Sequence, residues 1–164
     1  MPAIRWSKST DSPRLAELHR DAWRYAYAGI IPGLPLERMI SRRGPGWWRA
    51  MHRLGSPALV FEFDDKVAGY VTLGPRRGRG YTGGGEIYEL YLRPECHGLG
   101  FGRRLFRAAK QRLTAAGFAP LAVWSLADNE IGCRFYRAVG GVEAARTRET
   151  IGGARLEKIG FAWD

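Results

Sequence analysis

Two apolar segments on either side of a long amphipathic helix constrain the fold of this chain more than any other feature. The segments Glu86–Leu92 and Leu121–Leu126 are typical of strands, and the 28 residues between them contain the helix. The apolar face of this helix includes Leu105 and Leu113, and Gly117 ends it. A connection that contains a helix is the usual way to join parallel strands. The sequence therefore predicts a sheet in which these two strands run parallel.

The remaining segments add antiparallel strands and further helices. In the first half of the chain, apolar periodicity and turn residues predict a strand over Ala3–Trp6, a helix from Ser12 to Gly29, a loop over Ile30–Pro35, and short helices over Leu36–Arg42 and Gly46–Arg53. The segments that follow predict a β-hairpin of Ala58–Phe63 and Val67–Leu73 and a connector over Gly74–Gly85. After the parallel pair come a helix over Glu130–Val139 with Asp128 as its N-cap and a closing hairpin of Val142–Thr150 and Ala154–Ala162. The predicted fold class is α/β, a mixed (α+β) sheet with helices on both faces. The order of the strands does not follow from their spacing.

Size and composition place the chain among globular proteins. With 164 residues and 18.4 kDa, residues 1–164 are expected to form one domain. The longest uncharged run, Leu113–Ala127, is shorter than the ~20 apolar residues of a membrane span, and the N-terminus lacks the apolar core of a signal peptide. Two cysteines, Cys96 and Cys133, do not make a disulfide framework. We therefore expect a cytoplasmic protein with no membrane partner.

The charge of the chain favours an anionic partner. The formal net charge is +10, from 26 basic and 16 acidic side chains. Nucleic acid, a membrane surface or a phosphorylated small molecule would suit it. Because 22 of the basic residues are arginines scattered along the chain, a generally basic surface is the alternative interpretation. The segment 76–81, Arg-Arg-Gly-Arg-Gly-Tyr, resembles an RNA-contacting segment, so an RNA-binding module is an alternative function. The same glycines also suit a simple connector.

The turn between Leu92 and the long helix is the most informative stretch. The chain turns at Pro94, and three glycines within five residues open the helix. N–H groups at a helix N-terminus lack partners and lie at the positive end of the helix dipole, so they bind anions, and glycines let a phosphate approach them closely. The alternative is a turn that only tightens strand–helix packing. No P-loop pattern occurs, and Arg103 stands where the Rossmann fingerprint needs glycine.

This stretch resembles the acetyl-CoA signature of the GNAT superfamily of N-acetyltransferases. The family pattern Gln/Arg-x-x-Gly-x-Gly/Ala corresponds to 97–102, His-Gly-Leu-Gly-Phe-Gly, after 90–94, Leu-Tyr-Leu-Arg-Pro. His97 stands where the family has Gln or Arg, which puts one side-chain contact in doubt. A second family block also matches, since Asn129 opens a helix and 135–136, Phe-Tyr, precede two glycines. The resemblance implies a twisted, mostly antiparallel central sheet whose parallel strand pair splays apart.

The resemblance also implies that acetyl-CoA is the co-substrate and binds where the parallel strands separate; no metal is expected. Backbone groups of Leu90, Tyr91 and Leu92 would bond the pantetheine arm and polarise the thioester carbonyl. Asn129 would also bond this arm, or would only share N-capping with Asp128. The turn and the start of the helix would hold the pyrophosphate, which makes the further candidates His97, Gly98, Leu99, Gly100, Phe101, Gly102, Arg103 and Arg104.

Two residues are implied in catalysis. Tyr136 matches the family's donor to the departing CoA thiolate, and a packed tyrosine is the alternative. Neighbouring helical residues point about 100° apart, so only one of Phe135 and Tyr136 is expected to face the cleft. Glu89 is the candidate base for the amine, and a solvated or paired carboxylate is the alternative. Other members carry a glutamate on the second strand, where this chain has Trp124. The remaining candidate bases are a water chain, His19 and His52.

The implied reaction is direct attack by a primary amine of a small molecule or peptide on the thioester, in a ternary complex. Several residues could either line the acceptor pocket or belong to the core: Trp23, Tyr25, Tyr27, Ile30, Trp47 and Trp48. Because the base is not identified, a catalytically silent CoA-binding or regulatory protein is an alternative. A homodimer agrees with the resemblance, since dimers are frequent in the family.

Overall fold

The core of the fold is a seven-stranded sheet, seen in a computed structural model that describes residues 2–78 and 83–164. Its strands are β1 (Ala3–Trp6), β2 (Leu59–Phe63), β3 (Lys66–Pro75), β4 (Gly85–Leu92), β5 (Leu121–Leu126), β6 (Val142–Ile151) and β7 (Ala154–Ala162). They lie in the order β1-β2-β3-β4-β5-β7-β6. Among these strands only β4 and β5 are parallel neighbours. The predicted mixed, mostly antiparallel sheet is confirmed.

Helices cover both faces of this sheet, as predicted. The described residues form α1 (Ser12–Tyr27), α2 (Gly33–Ser41), α3 (Pro45–Arg53), α4 (Phe101–Ala115) and α5 (Glu130–Ala138). Strand alternation divides the core, because Leu59 and Phe61 pack with α4 whereas Val60 between them packs with α1 and α3. None of the described helices is long and apolar enough to cross a membrane.

Some predicted boundaries were wrong, for local reasons. Helix α2 begins at Gly33 rather than Leu36, because Pro35 lies in the first turn, where an N–H has no helical partner to lose. Asn129, not Asp128, caps α5, since its Oδ1 accepts a hydrogen bond from the Gly132 N–H at 3.1 Å. The strands β3 and β4 extend into the predicted connector. Much of the RNA-like segment (79–81) lies outside the described residues.

Pairing between β4 and β5 stops halfway along both strands. The two strands are in register only as far as Ile87 opposite Val123. Beyond this point β4 stays paired with β3 as far as Leu92, and β5 stays paired with β7 as far as Leu126. The predicted splay is therefore present, and a gap opens between residues 88–92 and 124–126.

Candidate active site

The gap between β4 and β5 opens into a cleft of about 1200 Å³ that is lined from both faces of the sheet. On the side of α4 and α5 lies what we call the loop half, lined by His97, Gly98, Gly100, Gly102, Arg103, Asn129, Phe135 and Tyr136. On the side of α1–α3 lies the aromatic half, lined by Trp23, Tyr27, Trp47, Tyr91 and Trp124. A ligand threaded through the gap would reach from one half to the other.

The free edge of β4 offers backbone hydrogen-bonding groups to this cleft. The Arg93 N–H donates to the Ala68 carbonyl at 2.8 Å, so the backbone of Arg93 faces β3. Backbone direction alternates along a strand, so Tyr91 also faces β3, while Leu90 and Leu92 direct their N–H and C=O groups into the gap. Leu90 and Leu92 are therefore placed for the predicted backbone contacts. Tyr91 reaches the cleft through its side chain instead.

The glycine-rich turn presents unpaired amides to the loop half. Gly98 and Gly100 have φ angles of +77° and +80°, a conformation that glycine adopts without strain. A Cβ on either glycine would meet no atom within 4 Å, so both face open space. In α4 the Arg104 N–H bonds the Gly100 carbonyl at 3.2 Å, and the helical amides before it have no intrahelical partner. This geometry suits a phosphate group.

Not every predicted cofactor-binding side chain lies in the cleft. Leu99 is 59% exposed, and the Phe101 ring stacks on Phe61 in the core with centroids 4.5 Å apart. The Arg104 guanidinium lies 5.3 Å above the same Phe61 ring. Leu99 and Phe101 can therefore serve the turn only through their backbone, whereas the Arg104 N–H already bonds the Gly100 carbonyl. Gly102 is needed for packing, since a Cβ there would stand 3.1 Å from Phe135.

The other predicted side chains do line the loop half. His97 and Arg103 both face it, and the His97 ring meets Tyr25 edge-on with centroids 5.4 Å apart. Asn129 lines the cleft and its Oδ1 caps α5, so the N-capping role is observed, while its bond to the pantetheine arm stays a prediction. The loop half thus holds three polar or cationic side chains beside the free amides.

Phe135 and Tyr136 both line the cleft, so the expectation that only one of them would do so was wrong. The cleft follows the flank of α5, which lets residues 100° apart reach it. The Tyr136 ring packs near Phe161 and Trp163 and is 7% exposed. Burial raises the pKa of Tyr136, so its hydroxyl is protonated and can donate a hydrogen bond at neutral pH.

Glu89 lies in the cleft wall within a closed set of hydrogen bonds. The Arg43 guanidinium donates to it twice, at 2.7 Å each, and the hydroxyls of Tyr70 and Thr72 donate at 3.2 Å each. Burial alone would raise the pKa of Glu89, but the hydrogen bonds and the charge of Arg43 outweigh it, and the net shift is downward. A carboxylate held in this way is a weak base. Of the two readings left open by the sequence, the geometry matches the paired carboxylate.

Arg43 is the site residue that sequence reasoning missed. Its guanidinium lies 4.1 Å from the ring centroid of Trp47 and 5.0 Å from that of Trp48, so the ion pair with Glu89 is covered by indole rings. The side chains of Arg43 and Glu89 are only 16% and 14% exposed. Arg43 follows α2 with no motif of its own, and the tryptophan pair just after it was the only available signal.

The two candidate histidines are not at the cleft. His19 is fully buried, and its ring nitrogens have no hydrogen-bond partner among the described residues. Burial, followed by the charge of Arg43, lowers the pKa of His19 to about 4. His52 bonds the Ser7 hydroxyl and the Trp48 carbonyl, each at 2.7 Å. Neither histidine lines the cleft as described.

The aromatic residues that sequence reasoning could not assign are now divided between cleft and core. Those that line the cleft are Trp23, Tyr25, Tyr27 and Trp47. Trp48 is a core residue, 1% exposed. Ile30 does not line the cleft, whereas its neighbour Ile31 does.

Comparisons with known proteins agree with this architecture. Residues 13–140 match the model of the Acetyltransferase (GNAT) family. The chain is 30% identical over 166 residues to the uncharacterized N-acetyltransferase YuaI of Bacillus subtilis (strain 168), an alignment that covers 99% of this chain and 93% of YuaI. The fold is similar to that of the PaiA N-acetyltransferase of Thermoplasma acidophilum in complex with coenzyme A, with 20% identity, a TM-score of 0.77 and 99% of each chain covered. It is also similar to yncA of Salmonella typhimurium with its cofactor acetyl-CoA, with 21% identity, a TM-score of 0.72, and 99% of this chain and 92% of yncA covered. By its sequence, this chain belongs to the GNAT family of acetyltransferases.

Proposed function

We propose that this protein transfers the acetyl group of acetyl-CoA to a primary amine of a small molecule or peptide. The observation that carries this proposal is the separation of β4 from β5, which turns the backbone groups of Leu90 and Leu92 toward a cleft that begins at the glycine-rich turn. The yncA structure, which has a similar fold, contains acetyl-CoA as its cofactor.

The arrangement suggests how the co-substrate would lie. The pyrophosphate would rest against the free amides between Gly98 and Arg103, where the helix dipole favours negative charge. The pantetheine arm would follow β4 and bond the backbone of Leu90 and Leu92. One of these N–H groups would then stabilise the thioester oxygen as negative charge develops on it.

The chemical step is a direct acyl transfer. The amine nitrogen attacks the thioester carbonyl carbon, the C–S bond of the tetrahedral intermediate breaks, and the products are an acetamide and free CoA thiol. The amine nitrogen gives up one proton, and the CoA sulfur leaves as a thiolate that takes one proton from solvent water. Tyr136 would donate a hydrogen bond to the sulfur; its raised pKa makes complete proton transfer costly. Glu89 is the proposed acceptor of the amine's proton, but its lowered pKa makes it weak, so we propose that the amine enters uncharged.

Ligand binding gives the first test of the function. We expect acetyl-CoA at about 100 times its Kd to add about 2.7 kcal/mol to the free energy of unfolding, which raises Tm by roughly 5–10 °C. Dephospho-CoA and ATP serve as comparisons. If acetyl-CoA leaves Tm unchanged, the proposal is wrong. A shift without thiol release for any amine would favour a silent CoA-binding protein, and salt-sensitive binding of labelled RNA would favour the nucleic-acid alternative.

The variant Tyr136→Phe tests the proposed role of the hydroxyl. A hydrogen bond to a charged group is worth about 1.5–3 kcal/mol, so kcat should fall about 10- to 100-fold while the Kd for acetyl-CoA stays nearly constant. The ring packing is kept, so Tm should be unchanged, which serves as the control. An unaltered kcat would remove Tyr136 from the mechanism.

A further inference from the structure

The aromatic half of the cleft is built from ring surfaces. Trp23 lies 5.2 Å from Tyr27 and 6.1 Å from Tyr91, measured between ring centroids. The hydroxyls of Tyr27 and Tyr91 bond each other, so one of the two O–H donors is already used. Trp47 and Trp124 extend the wall. Such a surface suits a ligand with a flat or apolar body.

The carboxylates that the described residues contribute to the cleft are all paired with cations. The pairs are Glu89 with Arg43 at 2.7 Å, Glu149 with Lys158 at 3.2 Å and Glu86 with Arg77 at 3.0 Å. A second ammonium group on an acceptor would therefore meet no free carboxylate within the described part of the cleft. Such a group would have to share a carboxylate that already holds a cation.

Two of these cations also lie over the ring faces that an ammonium would otherwise seek. The Arg43 guanidinium is 4.1 Å from the Trp47 centroid, and the Lys158 Nζ is 4.9 Å from the Trp124 centroid. Aromatic faces attract cations, but here each face already holds one and is not open to a second positive charge. Nearby cations also favour the uncharged form of an amine, which is the form that attacks a thioester.

We infer that the acceptor is a small monoamine with an aromatic or apolar body and no second charge. Its body would lie among the rings of the aromatic half, with the amine at the gap between β4 and β5. This inference rests on the proposed function and names the acceptor class for it. Polyamines, aminoglycosides, free amino acids and peptides would be poor acceptors by comparison.

An acceptor panel with detection of free CoA thiol tests the inference on the whole protein. Phenethylamine and tryptamine represent the expected class, and spermidine, kanamycin, phenylalanine and an alanine-initiated peptide represent the others. We expect kcat/KM for phenethylamine, calculated on the uncharged amine, to exceed that of every other class by at least about tenfold. Preference for spermidine, kanamycin, phenylalanine or the peptide would overturn the inference while leaving the acetyltransferase activity established.

The variant Lys158→Gln tests the charge argument directly. It leaves the Glu149 carboxylate unpaired in the cleft and uncovers the Trp124 ring, so the ratio of spermidine to phenethylamine turnover should rise about tenfold. Arg155→Gln removes a positive charge from the same strand outside the cleft lining, and should leave the ratio unchanged. An equal ratio in the Lys158→Gln variant and the parent protein would count against the inference.

Failure of the inference and failure of the proposed function give different results. If acetyl-CoA does not raise Tm, the proposed function and the inference about the acceptor are both wrong. If acetyl-CoA binds but no amine is consumed, calorimetric titration of phenethylamine into the CoA-saturated protein tests whether the proposed acceptor class binds. Saturable binding supports the inference, and no binding overturns it.

Discussion

Replacing Gly100 by Asp should strongly weaken the binding of acetyl-CoA without unfolding the protein. A side chain at this position enters open space beside the free amides, where the proposed pyrophosphate lies. At an effective dielectric constant of about 20, like unit charges about 4 Å apart repel by about 4 kcal/mol, which corresponds to roughly a thousandfold increase in Kd. The Kd can be measured by calorimetry with CoA, and the ligand-induced rise in Tm should disappear.

Two controls separate charge from backbone strain. Gly100→Asn has nearly the same shape and the same tolerance of positive φ, so it should weaken binding far less than the Asp variant. Gly55→Asp places the same residue at a φ of +76° in equally open space outside the cleft lining, and should bind CoA normally. Equal loss of affinity in the Asp and Asn variants at position 100 would show that no anion sits there.

Removing either partner of the Arg43–Glu89 ion pair should cause a large loss of stability. The survivor would be a charge under indole rings with its main partner gone, and breaking a buried pair typically costs about 3–5 kcal/mol. For a chain of this size that corresponds to a fall in Tm of roughly 6–20 °C. We expect Arg43→Met and Glu89→Gln each to lower Tm. The double variant should lose less free energy of unfolding than the sum of the two single losses. Denaturant unfolding of the four proteins measures the coupling.

An exposed Arg–Glu pair that is also joined by two hydrogen bonds provides the control. Arg24 and Glu37 are also joined by two hydrogen bonds, at 2.9 and 2.7 Å, but their side chains are 50% and 46% exposed. Arg24→Met should therefore change Tm very little. If Arg24→Met lowers Tm as much as Arg43→Met does, burial is not the reason why the Arg43–Glu89 pair stabilises the protein.

The stabilising effect of Glu89 should also depend on pH in a definite sense. Its folded pKa lies below the usual value of 4.5, so the stabilisation is fully present above that pH and is lost as the pH falls through the folded pKa. The stability difference between the parent protein and Glu89→Gln should therefore narrow at acid pH. His19, with a pKa lowered to about 4 from 6.5, destabilises the fold in acid too. The charge of Glu89 partly offsets this lowering, so the contribution of His19 differs between the two proteins.

The parts of the fold that were predictable from sequence are those set by local patterns. The bounds of β5 and β7 were predicted at their observed residues, because β5 is an apolar run that follows Pro120 and β7 begins directly after Gly152 and Gly153. The free amides near Gly100 followed from glycine chemistry at a helix start. The start of α2 was wrong because the proline rule was applied without regard to the first turn, where Pro35 costs no hydrogen bond.

The parts that could not be predicted depend on contacts between distant segments. The position of β7 between β5 and β6 is decided by sheet pairing, which spacing does not encode. The pairing of Arg43 with Glu89 joins residues 46 positions apart, and nothing local marks one arginine among 22. Likewise, strand alternation predicted that Glu89 and Tyr91 lie on one face of the sheet. It could not predict which residues they contact on that face.

The early parting of β4 and β5 has a kinetic consequence. Because residues from both faces of the sheet line the cleft, the proposed thioester and amine would each approach the gap from a different face. Neither would have to leave before the other could arrive, so the two could load in either order and both products could depart independently. Double-reciprocal plots for the pair should then intersect rather than run parallel.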